Sequence, residues 1–141
     1  MSALDSLIRL HRWQVDERRR HLADLEGLAA QLAEEHHRLD REQAREQAAA
    51  AASPEAAFAY AAYARQLIER RRKLTQSQAE VAEQIERSRA MLAEAFQEVK
   101  RYEIMAANRT RQQERRAARR QQRVLDDLGA DAFRRRGAGK D

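Results

Sequence analysis

The sequence predicts an all-α fold, a two-helix antiparallel coiled-coil hairpin with an overhanging C-terminal helix. Three observations predict it. Apolar residues recur alternately three and four apart through two long segments. Proline occurs once, at Pro54, between those segments. The 141 residues include 29 alanines, so the 43% hydrophobic fraction carries few large side chains. They suffice for a narrow seam between two helices and not for a globular core.

The first seam reads Leu4, Ile8, His11, Val15, Arg18, Leu22, Leu25, Ala29, Leu32, His36, Leu39. A spacing averaging about 3.5 residues keeps these positions on one edge of a slightly underwound helix, which then requires a partner. Helix one is predicted over about residues 3–51. Ser2 and Asp5 have the spacing of a capping box, and an alanine tract, Ala48 to Ala52, closes the segment. The turn falls at about 52–54. Ser53 suits the cap of a new helix, Pro54 its first position, and Glu55 the positive end of its dipole.

The second seam reads Tyr60, Ala64, Leu67, Arg71, Leu74, Gln78, Val81, Ile85, Ser88, Leu92, Ala95, Val99, Tyr102. Helix two is predicted over about 54–128, with Gly129 ending it in a left-handed cap. Residues 1–128 then form the coiled-coil hairpin and 129–141 a disordered basic tail. At ~1.5 Å per residue the helices are about 70 Å and about 110 Å long. Pairs four apart support them, Asp5–Arg9, Glu34–Arg38, Glu69–Lys73 and Glu83–Arg87, each contributing roughly 0.2–0.5 kcal/mol.

Folding back at the turn pairs residues whose numbers add to roughly 106, within about half a heptad. Leu4 is then expected near Tyr102, Leu25 near Val81 and Leu39 near Leu67. Helix one is used up at residue 102, so 103–128 overhang. Polar residues in the seam, such as His11, Arg18, His36 and Arg71, are expected to set register or to snorkel to solvent.

Charge divides the chain. Residues 1–108 hold 17 basic and 18 acidic residues, whereas 109–141 hold 11 basic and 5 acidic. Seven arginines lie between 109 and 123, with Glu114 the only acid among them. Such a segment favours acidic surfaces. The absence of cysteine fits a cytosolic chain and excludes thiolate metal sites. No segment approaches the ~20 apolar residues of a membrane span, and Met1 to Arg12 lacks the apolar run of a secretory signal. No catalytic constellation or phosphate-cradling glycine loop is found, so no enzyme activity and no cofactor are expected. His36 and Asp40 have metal-ligand spacing but no third ligand.

The off-seam apolar residues are candidates for partner binding. Trp13, the only tryptophan, falls at the most exposed heptad position, with Leu10 three residues before it. Phe58 and Ile104 also fall outside the seam. Two other readings of these features are a basic coiled coil that binds nucleic acid through residues 109–136, and a scaffold that self-associates through Leu7, Ile68 and Met91.

The opening Leu4-Asp5-Ser6-Leu7-Ile8-Arg9-Leu10-His11-Arg12-Trp13-Gln14-Val15-Asp16-Glu17-Arg18-Arg19-Arg20 resembles the start of FliJ proteins, the small coiled-coil component of bacterial flagellar type III export, particularly in their alphaproteobacterial forms. Phe58-Ala59-Tyr60-Ala61-Ala62-Tyr63-Ala64 is similar to the aromatic segment at the corresponding place. The resemblance covers nearly the whole chain and departs at 129–141. It implies a non-enzymatic stalk or adaptor, like the central stalk of rotary ATPases, located in the cytoplasm at the base of the export apparatus. Its implied partners are the hexameric export ATPase ring, the export gate membrane protein and export chaperones, with membrane contact only through proteins. On this resemblance Arg109, Arg111, Arg115 and Arg116 contact the ATPase, together with Leu10 and Trp13. Phe58, Tyr60 and Tyr63 contact gate or chaperone, although Tyr60 is also a seam position.

Overall fold

The structure is a computed structural model and describes residues 2–139. Two helices make up the described chain, α1 (Ala3–Ala50) and α2 (Pro54–Ala138), and the fold is an all-α helical hairpin. Every position of both predicted seams is buried or half-buried. The packing falls into two units, residues 12–96 and residues 1–11 with 97–141.

In the unit 12–96 the chain reverses at Ala51–Ser53. The last turn of α1 tightens, with the Ala51 and Ala52 N–H groups donating to the carbonyls of Ala48 and Ala49. Ser53 then caps α2, its Oγ accepting the Ala56 N–H at 3.0 Å while its carbonyl accepts the Ala57 N–H. Pro54 begins the helix where its missing N–H costs nothing. Replacing Ser53 with alanine is expected to cost about 1 kcal/mol. Urea denaturation followed by circular dichroism measures it.

The core of this unit centres on Leu39, Leu67 and Leu74, with Leu32 and Tyr63 packed against them. Beside it, polar side chains cross between the helices. Arg71 Nη2 donates to Asp40 Oδ1 at 2.6 Å and to Gln43 Oε1 at 2.7 Å. Arg70 grips Glu42 with two bonds of 3.2 and 3.3 Å. Arg71 is therefore a seam residue that turns its head outward to partners on α1, as its long stem permits. Further along, Arg18 reaches the Met91 sulfur at 3.9 Å, and the Arg19 guanidinium lies 4.8 Å from the Phe96 ring centroid. Of the predicted four-residue ion pairs, Glu83–Arg87 forms. Arg38 instead takes Glu35, and Glu69 takes Arg72, both three apart.

The register differs from the expected one. Partners such as Glu42 and Arg70, Asp40 and Arg71, and Arg18 and Met91 have numbers adding to about 111, not 106. Leu39 does belong with Leu67 to one cluster, which also contains Leu74. Knob-into-hole packing seats each large side chain between two others, so matching large residues face to face misplaces the register. A register near 111 sets Leu22 level with Ser88, Val81 with Ala29 and Val15 with Ala95.

In the other unit the start of α1 lies along α2. Ser2 and Asp5 close the predicted capping box. Asp5 Oδ2 accepts the Ser2 N–H at 3.1 Å, and Ser2 Oγ accepts the Asp5 N–H at 3.2 Å. Ile8 and Val99 are buried, and the His11 ring stacks on Tyr102 with centroids 4.7 Å apart. Ser2, Leu4 and Asp5 share a groove with Ala106, Arg109, Thr110 and Gln113. The overhang thus begins near residue 113 rather than 103.

α2 also ends later than expected. It passes through Gly129 to Ala138, and no described glycine has positive φ. The segment expected as a disordered tail is therefore helical as far as Ala138, while Lys140 and Asp141 lie outside the described residues. A lone glycine costs a helix only about 1 kcal/mol and does not by itself stop it. Beyond it the Asp131–Arg134 pair at 3.1 Å and Arg135 and Arg136 in the last turn favour continuation.

Candidate partner-binding surface

The overhang follows from a difference in helix length, because α2 outruns the start of α1. From Ala107 onward every described residue is exposed. Arg115 and Arg116 stand on the overhang past residue 113, and Arg111 is exposed just before it. Arg109 lies beside Asp5, whose carboxyl is held below the ordinary carboxylate range by the Ser2 backbone and hydroxyl, with a further lowering from the Arg109 charge. The arginines bet on for one contact are thus divided between a paired and an unpaired stretch.

The structure adds three arginines that the sequence reading did not single out. Arg119, Arg120 and Arg123 line one open groove with Arg116. Spacing of three, four and seven residues places all four on one helix face, a signal present in the sequence. None of the four makes an ion pair among the described residues. Such a face offers guanidinium forks to carboxylates or phosphates and has no group that could act as acid, base or nucleophile.

Leu10 is exposed in the unit 1–11 with 97–141. Trp13, 56% exposed in the unit 12–96, lines an open groove with Gln14, Glu17, Arg18 and His21. The aromatics after the turn do not form one surface. Phe58 is 82% exposed and stands clear of the seam. Tyr60 is half-buried, 6.0 Å from the Tyr63 ring. Tyr63 packs against the Leu39 cluster, and its hydroxyl is pushed up from its ordinary range by burial and then by the neighbouring Glu42 carboxylate. Of the three rings, Phe58 alone is exposed.

Near the turn the cross-helix bonds also set a pH response. The Arg71 hydrogen bond holds Asp40 below its ordinary range, and the Arg70 bonds do the same for Glu42. A carboxyl depressed in the folded state stabilises it above the unfolded value, ~3.9 for Asp and ~4.3 for Glu, and that stabilisation disappears as pH falls through the folded value. The melting temperature is therefore expected to fall on acidification from pH 5 to pH 2 (round values bracketing those carboxylates). The Arg70→Gln, Arg71→Gln double variant is expected to show a smaller fall in thermal melts.

No group of three His, Cys, Asp or Glu able to hold a metal ion occurs among the described residues. No described helix is long and apolar enough to cross a membrane.

The model of the family described as Flagellar FliJ protein matches residues 1–138. Neither curated proteins nor solved structures gave a match.

Proposed function

Because this chain belongs to the flagellar FliJ family, whose members are flagellar export-associated proteins, we propose that it is a non-enzymatic stalk and adaptor of the type III export apparatus. In this reading the helical overhang enters the export ATPase ring, and the turn end of the hairpin meets the export gate or an export chaperone. The chain would work in the cytoplasm, at the base of the apparatus, and reach the membrane only through proteins.

The observation that carries the reading is the exposed, helical, arginine-rich segment beyond the paired start of α1, in a chain matched to the family over residues 1–138. A ring that must grip a helix without binding it permanently is served by charge contacts. They are long-ranged, tolerant of rotation and individually weak. Arg111, Arg115 and Arg116 are the contacts assigned to the ring, with Leu10, Trp13 and Arg109. Phe58 is assigned to the gate or chaperone. Tyr60 and Tyr63 act there by holding the backbone that presents it.

The test is an ATPase assay with the cognate export ATPase. The purified chain is expected to hydrolyse no ATP alone and to change the rate of the ring. Hydrolysis by the chain itself, or an unchanged ring rate, would refute the reading.

A further inference from the structure

We propose that the overhangs of two copies of this chain pair antiparallel, tail to tail, through residues 117–128. The overhang carries a seam without a partner. Ala117, Gln121, Val124 and Leu128 follow the three-and-four spacing. Ala117 and Val124 lie eighteen residues after Val99 and Ala106, five turns of a straight helix, so they prolong the edge that α1 covers earlier. Val124, Leu125 and Leu128 are all exposed. This edge continues an established interface past the point where its partner begins.

Charge names the occupant. From Arg111 to Arg123 the overhang has six arginines and one acid, Glu114. From Val124 to Phe133 it has Asp126, Asp127 and Asp131 and no base. A lipid surface or a nucleic acid would meet like charge over those ten residues, although Arg134, Arg135 and Arg136 follow them. A second copy running antiparallel sets the arginine-rich half against the acidic half, with Glu114 opposite Asp131 the one like-charge layer between residues 112 and 133. With the two-fold axis between Gln122 and Arg123, Leu128 meets Ala117 of the second copy and Val124 meets Gln121. On one flank Leu125 covers Ala118. On the other, Arg120 of each copy faces Asp127 of the other, so the ion pair forms twice.

Within one chain the pair does not form here, its members standing seven residues and about 10 Å apart along the axis. Asp127 makes no ion pair among the described residues, and Arg120 only donates from Nε to the Arg116 carbonyl at 3.4 Å. Parallel pairing would instead set Arg120 beside Arg120. The antiparallel arrangement is isologous and closes at two copies. The seam is short and alanine-rich, so the dimer is weak and reversible.

Sedimentation equilibrium of the full chain tests this. Wild type is expected to shift reversibly from one chain to two as concentration rises to about 1 mM, the weak edge of specific association. Arg120→Asp alone and Asp127→Arg alone each set like charges together twice and are expected to weaken the dimer at least about tenfold. Mixing the two variants pairs carboxylates only with guanidiniums and is expected to restore association, with circular dichroism unchanged throughout. A wild type that stays monomeric overturns the proposal. Single variants that associate like wild type, or a mixture no better than its components, overturn it too. A monomer that co-sediments with phosphatidylglycerol vesicles assigns the edge to lipid instead.

Discussion

Replacing Arg111, Arg115 and Arg116 together by glutamate is expected to abolish stimulation of the cognate export ATPase and to leave the hairpin intact. All three are exposed and none makes an ion pair among the described residues, so the folded chain loses no contact. The change takes residues 109–141 from an excess of six basic residues to a balance of eight and eight. An exposed charge contact contributes up to about 1 kcal/mol, and a like-charge contact in its place costs at least as much. Three reversals therefore lower affinity for an acidic ring surface by about 100-fold or more. Lysine at the same positions keeps the charge and is expected to retain most of the stimulation. Added salt is expected to weaken coupling in the wild type. Coupled ATPase assays at two salt concentrations, with thermal melts of each variant, measure all of this. Full stimulation by the glutamate variant would show that the overhang is not gripped by its arginines.

The faces of both helices were readable because a heptad is a local property. Each seam position from Leu4 to Leu39 and from Tyr60 to Tyr102 is shielded as its spacing requires. Both caps were readable for the same reason, since Ser2 and Ser53 act on backbone groups within four residues. Register was not. Leu39 beside Leu67 and Leu39 between Leu67 and Leu74 satisfy the same stripe, and the choice rests on knob seating and on the His11–Tyr102 stack, which no single helix encodes. Tyr63 lies three residues from Tyr60 and four from Leu67, where the stripe admits either Tyr63 or Ala64. Both are half-buried. The end of α2 was misplaced at Gly129 because glycine permits a left-handed cap without compelling one. Exposure of Trp13 and Phe58 was legible from their heptad positions, and the grouping of Arg116 with Arg119, Arg120 and Arg123 was equally legible in their spacing of three, four and seven within a segment expected to be helical.

Leu39→Ala is expected to be the most damaging single truncation of the hairpin, costing about 2 kcal/mol and lowering the melting temperature by roughly 4–8 °C. Leu39 is 2% exposed and belongs to the cluster with Leu67 and Leu74, with Leu32 and Tyr63 packed on it. Removing it withdraws apolar area from four neighbours at once. The cost sits at the low end for a buried leucine because a two-helix seam lies close to water and can partly close over the gap. The Arg70 and Arg71 bonds to α1 limit that closure by holding the helices on either side of the site. Phe58→Ala removes a larger side chain that is 82% exposed, and its effect is expected to stay within about 0.5 kcal/mol. Size alone would rank the two variants the other way. Leu74→Ala on the Leu39→Ala background is expected to cost less than on wild type, because the two share one cluster. Urea denaturation of the wild type and the four variants gives each value. A loss for Leu39→Ala no greater than that for Phe58→Ala would mean that the seam does not hold the helices together.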